Sequence, residues 1–90
     1  MKKFNKTQTM KRFREMILAE YPYLKYAGTW KAEGITHLIF TMTNGDELEL
    51  EEEIVSRLNK VILETGHFFL AGVDAESEVT KLPGFKRNSF

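Results

Sequence analysis

Ionisable side chains in this chain are sorted by sign, and that sorting is the first feature that could do chemistry. The first fourteen residues carry Lys2, Lys3, Lys6, Lys11, Arg12 and Arg14 and no acid. Asp46, Glu47, Glu49, Glu51, Glu52 and Glu53 later follow in one stretch without a base. Gathered ammonium and guanidinium groups attract phosphates or acidic surfaces, whereas gathered carboxylates attract basic surfaces and repel nucleic acid. A formal net charge of +0 at pH 7 conceals both.

Each run also has an ordinary explanation. Three glutamates opening a helix are what the helix dipole favours, at roughly 0.3–1 kcal/mol each. That accounts for Glu51, Glu52 and Glu53 without any partner. An EF-hand is not indicated, because the stretch lacks alternating Asp/Asn ligands and the central glycine. The basic run is harder to explain away, since Lys6, Lys11, Arg12 and Arg14 fall near a helix start, where the dipole disfavours cations. An anion held at that helix start would repair the mismatch. A solvated, salt-screened basic face is the plainer account.

Other reactive types are sparse. The absence of cysteine excludes disulfides, thiol catalysis and thiolate metal sites. His37 and His67 sit on separate elements without the spacing of a helical metal pair, so no metal is expected. Ser56, Ser77 and Ser89 have no nucleophile-elbow context, and no glycine-rich phosphate loop occurs. The expectation is a protein that is not an enzyme and needs no cofactor.

The elements that position these groups follow from periodicity. Residues 1–6 read as a polar, basic arm. Thr7 or Thr9 caps a helix that runs to about Glu20 and stops before Pro22, with Met10, Phe13, Ile17 and Tyr21 as its buried stripe. A three-stranded meander follows, with Ala32-Glu33-Gly34 and Thr43-Asn44-Gly45 read as three-residue hairpin loops. That register places Trp30 opposite Thr36, Tyr26 opposite Phe40, Leu24 opposite Met42, Phe40 opposite Leu48 and Leu38 opposite Leu50. One face then gathers Leu24, Tyr26, Trp30, Leu38, Phe40, Met42, Leu48 and Leu50. The other is mostly polar, with His37 opposite Thr29 and close to Glu49 and Glu51, and with Ala27 and Ile39 as its apolar members. A two-residue Asn44-Gly45 loop would turn Glu47 and Glu49 inward, because a one-residue shift flips every side chain.

Glu51 opens a second helix whose stripe is Ile54, Leu58, Val61 and Ile62 and whose stop is Gly66. His67 to Val73 reads as a fourth strand. Phe68 and Phe69 must point to opposite sides of it, so one of them needs cover from elsewhere. Ser77 to Leu82 reads as an edge strand or a short helical turn, and residues 84–90 as a frayed tail.

The order helix–strand–strand–strand–helix over residues 7–65 resembles that of double-stranded-RNA-binding domains. In that family the start of the second helix gives lysines to RNA phosphates, and the first hairpin loop reaches the minor groove. At the matching place this chain has Glu51-Glu52-Glu53, and its loop Ala32-Glu33-Gly34 carries no histidine. The resemblance therefore argues against duplex binding in that mode.

The expected fold is a single α+β domain over residues 1–90: a three- to four-stranded antiparallel sheet with two helices on one face. The expected function is a small non-catalytic protein-interaction or regulatory module, an accessory protein of a bacterium or phage. Its partner-binding groups are Asp46, Glu47, Glu49, Glu51 and Glu52 on the acidic side and Lys6, Lys11, Arg12 and Arg14 on the basic side. A protein partner is expected, with a second copy of the chain as one candidate. The alternatives are nucleic-acid binding through the basic helix, and an acidic inhibitor that mimics nucleic acid. With no apolar run of membrane-spanning length, and a basic start that leads into charged residues rather than a signal-peptide core, a cytoplasmic location is expected.

Overall fold

The computed structural model describes residues 4–42 and 47–88. Asp46, the Asn44-Gly45 turn and the side chains of Glu47 and Leu48 lie outside the described residues. The chain runs α1 (Lys6–Glu20), β1 (Lys25–Ala32), β2 (Ile35–Thr41), α2 (Glu47–Thr65), β3 (Leu70–Asp74), α3 (Glu76–Val79) and β4 (Lys86–Arg87). This is the α+β fold the pattern predicts, with a four-stranded sheet in the order β3-β2-β1-β4. The sheet is mixed rather than wholly antiparallel: β1 pairs antiparallel with β2 and β4, while β3 runs parallel to β2. Parallel neighbours need a long crossover, and α2 supplies it.

α1 forms over the expected residues, but Asn5 caps it rather than Thr7 or Thr9. The Asn5 side chain accepts from the Gln8 amide at 2.8 Å, and the Gln8 side chain accepts from the Asn5 amide at 3.0 Å. This reciprocal box satisfies two donors that a helix start otherwise leaves open. Thr9 is buried and turns its hydroxyl onto the Asn5 carbonyl. Met10, Phe13, Ile17 and Tyr21 are buried, as their spacing requires.

The third strand of the expected meander is a helix instead. Glu47 to Leu50 alternates like a strand, yet Leu50 also stands four residues before Ile54 and eight before Leu58. All three are buried along one line of α2. Four residues cannot separate a period of 2 from one of 3.6, and the longer stripe decides it. With that strand gone, the element order no longer matches the double-stranded-RNA-binding arrangement.

The β1–β2 hairpin corrects the predicted register in its outer half. Ala32 pairs with Ile35 across a two-residue loop, Glu33 and Gly34, both at positive φ (53° and 79°), the type I′ pattern. Trp30 therefore lies opposite His37, and Thr29 opposite Leu38. A bulge between Tyr26 and Gly28 absorbs one residue, so Tyr26 still meets Phe40 as expected. The main core gathers Leu24, Leu38, Phe40 and Met42 of the hairpin region with Phe13, Ile17, Leu50, Ile54, Leu58, Phe69 and Val73.

Trp30 consequently belongs to the opposite sheet face. That face is not a polar surface: Ala27, Ile39 and Val79 are buried together, with Trp30, Leu82 and Phe85 packed around them. The cover comes from the C-terminal segment. Residues 77–82 take the short-helix option, ending in a turn where the Leu82 amide bonds the Val79 carbonyl. Lys86 and Arg87, read from the sequence as tail, pair with Thr29 and Gly28 of β1. Of the adjacent phenylalanines, Phe69 is fully buried in a T-shaped contact with Phe13, and Phe68 is 49% exposed.

Tyr26 carries a testable electrostatic consequence of this packing. Burial pushes its phenol up to about 12, against the opposing pull of the Arg14 guanidinium. A hydroxyl whose pKa rises on folding stabilises the fold below its unfolded value and loses that contribution as pH climbs through the folded value. Stability should therefore fall between pH 10.0 and about 12, a window set by the unfolded and folded values. Urea melts across that range should show a shallower decline in Tyr26→Phe. An unchanged decline would remove Tyr26 as the cause.

Candidate functional site

α1 and α2 lie antiparallel on the main sheet face, and this brings the sequence's two charge runs to opposite ends of one layer. At one end the His67 ring nitrogen Nε2 stands 2.9 Å from the Phe4 carbonyl, so the start of α1 adjoins the end of α2. At the other end Arg57 Nε donates to Glu20 at 2.6 Å, and the Tyr21 hydroxyl donates to Glu53 at 3.2 Å. The end of α1 is thus pinned beside the first half of α2.

Among the basic residues, Lys6, Lys11 and Arg12 are exposed. The Arg12 guanidinium lies 4.4 Å from the centre of the Phe4 ring. Arg14 is turned over Tyr26 at 5.2 Å, and its side chain is only 19% exposed. Arg12 also lines a cleft with Glu64 and Thr65 of the last turn of α2. The mismatch apparent in the sequence is therefore eased for Arg12 by the neighbouring helix: it stands near the C-terminal end of α2, where the dipole favours a cation. The Asn5–Gln8 box further occupies amides that would otherwise face an anion.

The acidic residues divide by task. Glu51 turns to the outer edge of the sheet, where its Oε2 accepts from the Val73 amide at 3.2 Å and occupies a donor of the exposed strand. Glu53 receives the Tyr21 hydroxyl. Glu49 and Glu52 are exposed, and their spacing places them on the side of α2 away from the sheet. Leu63, 86% exposed, shares that side; its position off the line of Leu50, Ile54 and Leu58 is the sequence signal for it.

His37 does not approach Glu49 and Glu51 as expected. His37 stacks at a tilt on Trp30, ring centres 4.9 Å apart, with Nδ1 3.2 Å from the Ile35 carbonyl oxygen. Glu51 is meanwhile engaged with β3. Among the described residues, no group of three or more His, Asp or Glu is arranged to hold a metal ion, and no helix is long and apolar enough to cross a membrane. A separate cleft between β1, β2 and α3 is lined by Lys25, Thr41, Glu76 and Arg87 among others. The Arg87 guanidinium bonds Glu76 there at 2.9 Å and holds its carboxyl below the usual carboxylate range.

Comparison with known proteins finds no matching family model, no similar curated protein and no similar solved structure.

Proposed function

We propose that the protein is a non-catalytic interaction module that meets a protein partner through its helical layer, with the acidic end of α2 as the principal contact. The observation that carries the reading is the group of exposed carboxylates, Glu49, Glu52 and Glu53, along the first half of α2, from which Glu51 turns aside to the Val73 amide. Charges placed this way accelerate encounter with an oppositely charged surface and set its orientation. The nucleic-acid alternative is weaker, because Arg14 is laid over Tyr26 and the start of α1 already has its capping partners.

Two measurements test this. Affinity capture from the native host should retain a protein that is lost with Glu49→Lys/Glu52→Lys. Titration with duplex DNA and RNA at physiological salt should show no dissociation constant tighter than about 1 μM. A tighter constant, with a log–log salt slope of about −3 to −4 that flattens in Lys11→Glu/Arg12→Glu, would establish nucleic-acid binding instead.

A further inference from the structure

We infer that a second copy of the chain occupies the open side of the α1/α2 layer, related by a two-fold axis that sets the basic end of each copy on the acidic end of the other. The inference rests on the reading that this layer is the interaction surface, and it names the occupant. Lys11 and Arg12 lie at one end of the open side, Lys6 falling on the sheet-facing line of Met10, Phe13 and Ile17; Glu49 and Glu52 lie at the other end. The antiparallel helices hold those ends apart through the His67–Phe4 contact at one end and the Arg57–Glu20 pair at the other. One surface therefore carries both halves of a complementary pair, which a single-sign partner would match only in part.

Symmetry selects the arrangement. Stacking two layers in the same direction places like charge on like charge. Rotating one by half a turn gives two identical attractive contacts and closes the assembly, the commonest solution for small homo-oligomers. The net charge of +0 means that two copies meet without overall repulsion. Leu63, 86% exposed on the same side of α2, adds apolar area to a contact otherwise made by charges.

The test is a charge swap on the full chain, read by analytical ultracentrifugation. The wild type should be dimeric at low salt, and its dissociation constant should weaken by at least about tenfold as salt rises to about 0.5 M, because exposed ion pairs are screened. Lys11→Glu/Arg12→Glu sets acid against acid at both contacts, and Glu49→Lys/Glu52→Lys sets base against base, so each variant alone should be monomeric. An equal mixture should dimerise, since native ends and reversed ends are then both complementary. A monomeric wild type at low salt overturns the inference and leaves a different protein on the layer, which the capture experiment addresses separately. A wild-type dimer insensitive to salt, or one that both variants retain, places the contact elsewhere and overturns it equally. If a variant loses its helical circular dichroism, the salt dependence of the wild type decides.

Discussion

Phe40→Ala should destabilise the protein by about 3–5 kcal/mol, a large share of the ~5–15 kcal/mol by which such domains are usually stable. Phe40 is 0% exposed in β2, a strand with neighbours on both sides. Its ring meets Tyr26 in a T-shaped contact at 5.6 Å, and it pairs with Val73 of β3. Removing it opens a void under both helices that rigid strands on either side cannot close, so the lost contacts add to the lost transfer energy. Trp30→Ala offers the contrast, because Trp30 is only partly buried and lies in the smaller cluster on the other face. Its removal should cost less than that of Phe40 in paired urea melts. A Phe40→Ala loss below about 1 kcal/mol would mean that β2 does not run through the main core as described.

The core around Phe40 was legible in the sequence because two independent periodicities point to it. The stripe of Met10, Phe13 and Ile17 and the alternation of Leu38, Phe40 and Met42 each select the same side. Gly66 ends α2 at positive φ as a helix-stopping glycine does. The charge separation was legible too, since composition alone carries it. What the sequence hid is partly local and partly set by contacts between distant segments. Asn5 is obscured as a cap by the threonines that follow it, and the reciprocal bond with Gln8 distinguishes it. Glu47 to Leu50 fits strand and helix equally over four residues, so its state is settled by the continuation to Ile54 and Leu58. The cover over Ala27 and Ile39 could not be seen locally: Val79, Leu82 and Phe85 are spread through a segment that otherwise reads as polar. Of the site, the list of charged residues was readable, but their separate tasks were not. That Glu51 serves the sheet edge while Glu52 faces outward follows from the position of β3 beside α2.

One residue did signal the hidden cover. A glycine inside a strand marks a bulge or a close backbone approach, and Gly28 marks both. Its φ is 151°, and a Cβ built there would stand 2.1 Å from the Lys86 carbonyl oxygen and 2.9 Å from Arg87 Cα and the Asn88 nitrogen. These are backbone atoms of β4 and of the residue that follows it, and no rotamer change can move them aside. They are held by pairing of Gly28 with Arg87 and Thr29 with Lys86, and by the Asn88 amide bonding the Ala27 carbonyl at 2.9 Å. Gly28→Ala should therefore displace β4 and loosen the C-terminal cover while α1, α2 and the main core persist. The expected stability loss is more than about 1 kcal/mol, the usual upper scale for a glycine change without strain. Trp30 fluorescence should shift to the red, and limited proteolysis should cut within residues 75–88. Gly72→Ala is the control, because a Cβ there would meet only the Glu51 carboxylate, at 3.8 Å. Its melting curve and cleavage pattern should stay close to wild type. If Gly28→Ala instead keeps wild-type emission and protease resistance, the C-terminal segment is not seated by this close approach. If it unfolds the whole domain, the two sheet faces form a single cooperative unit rather than a core with a separable cover.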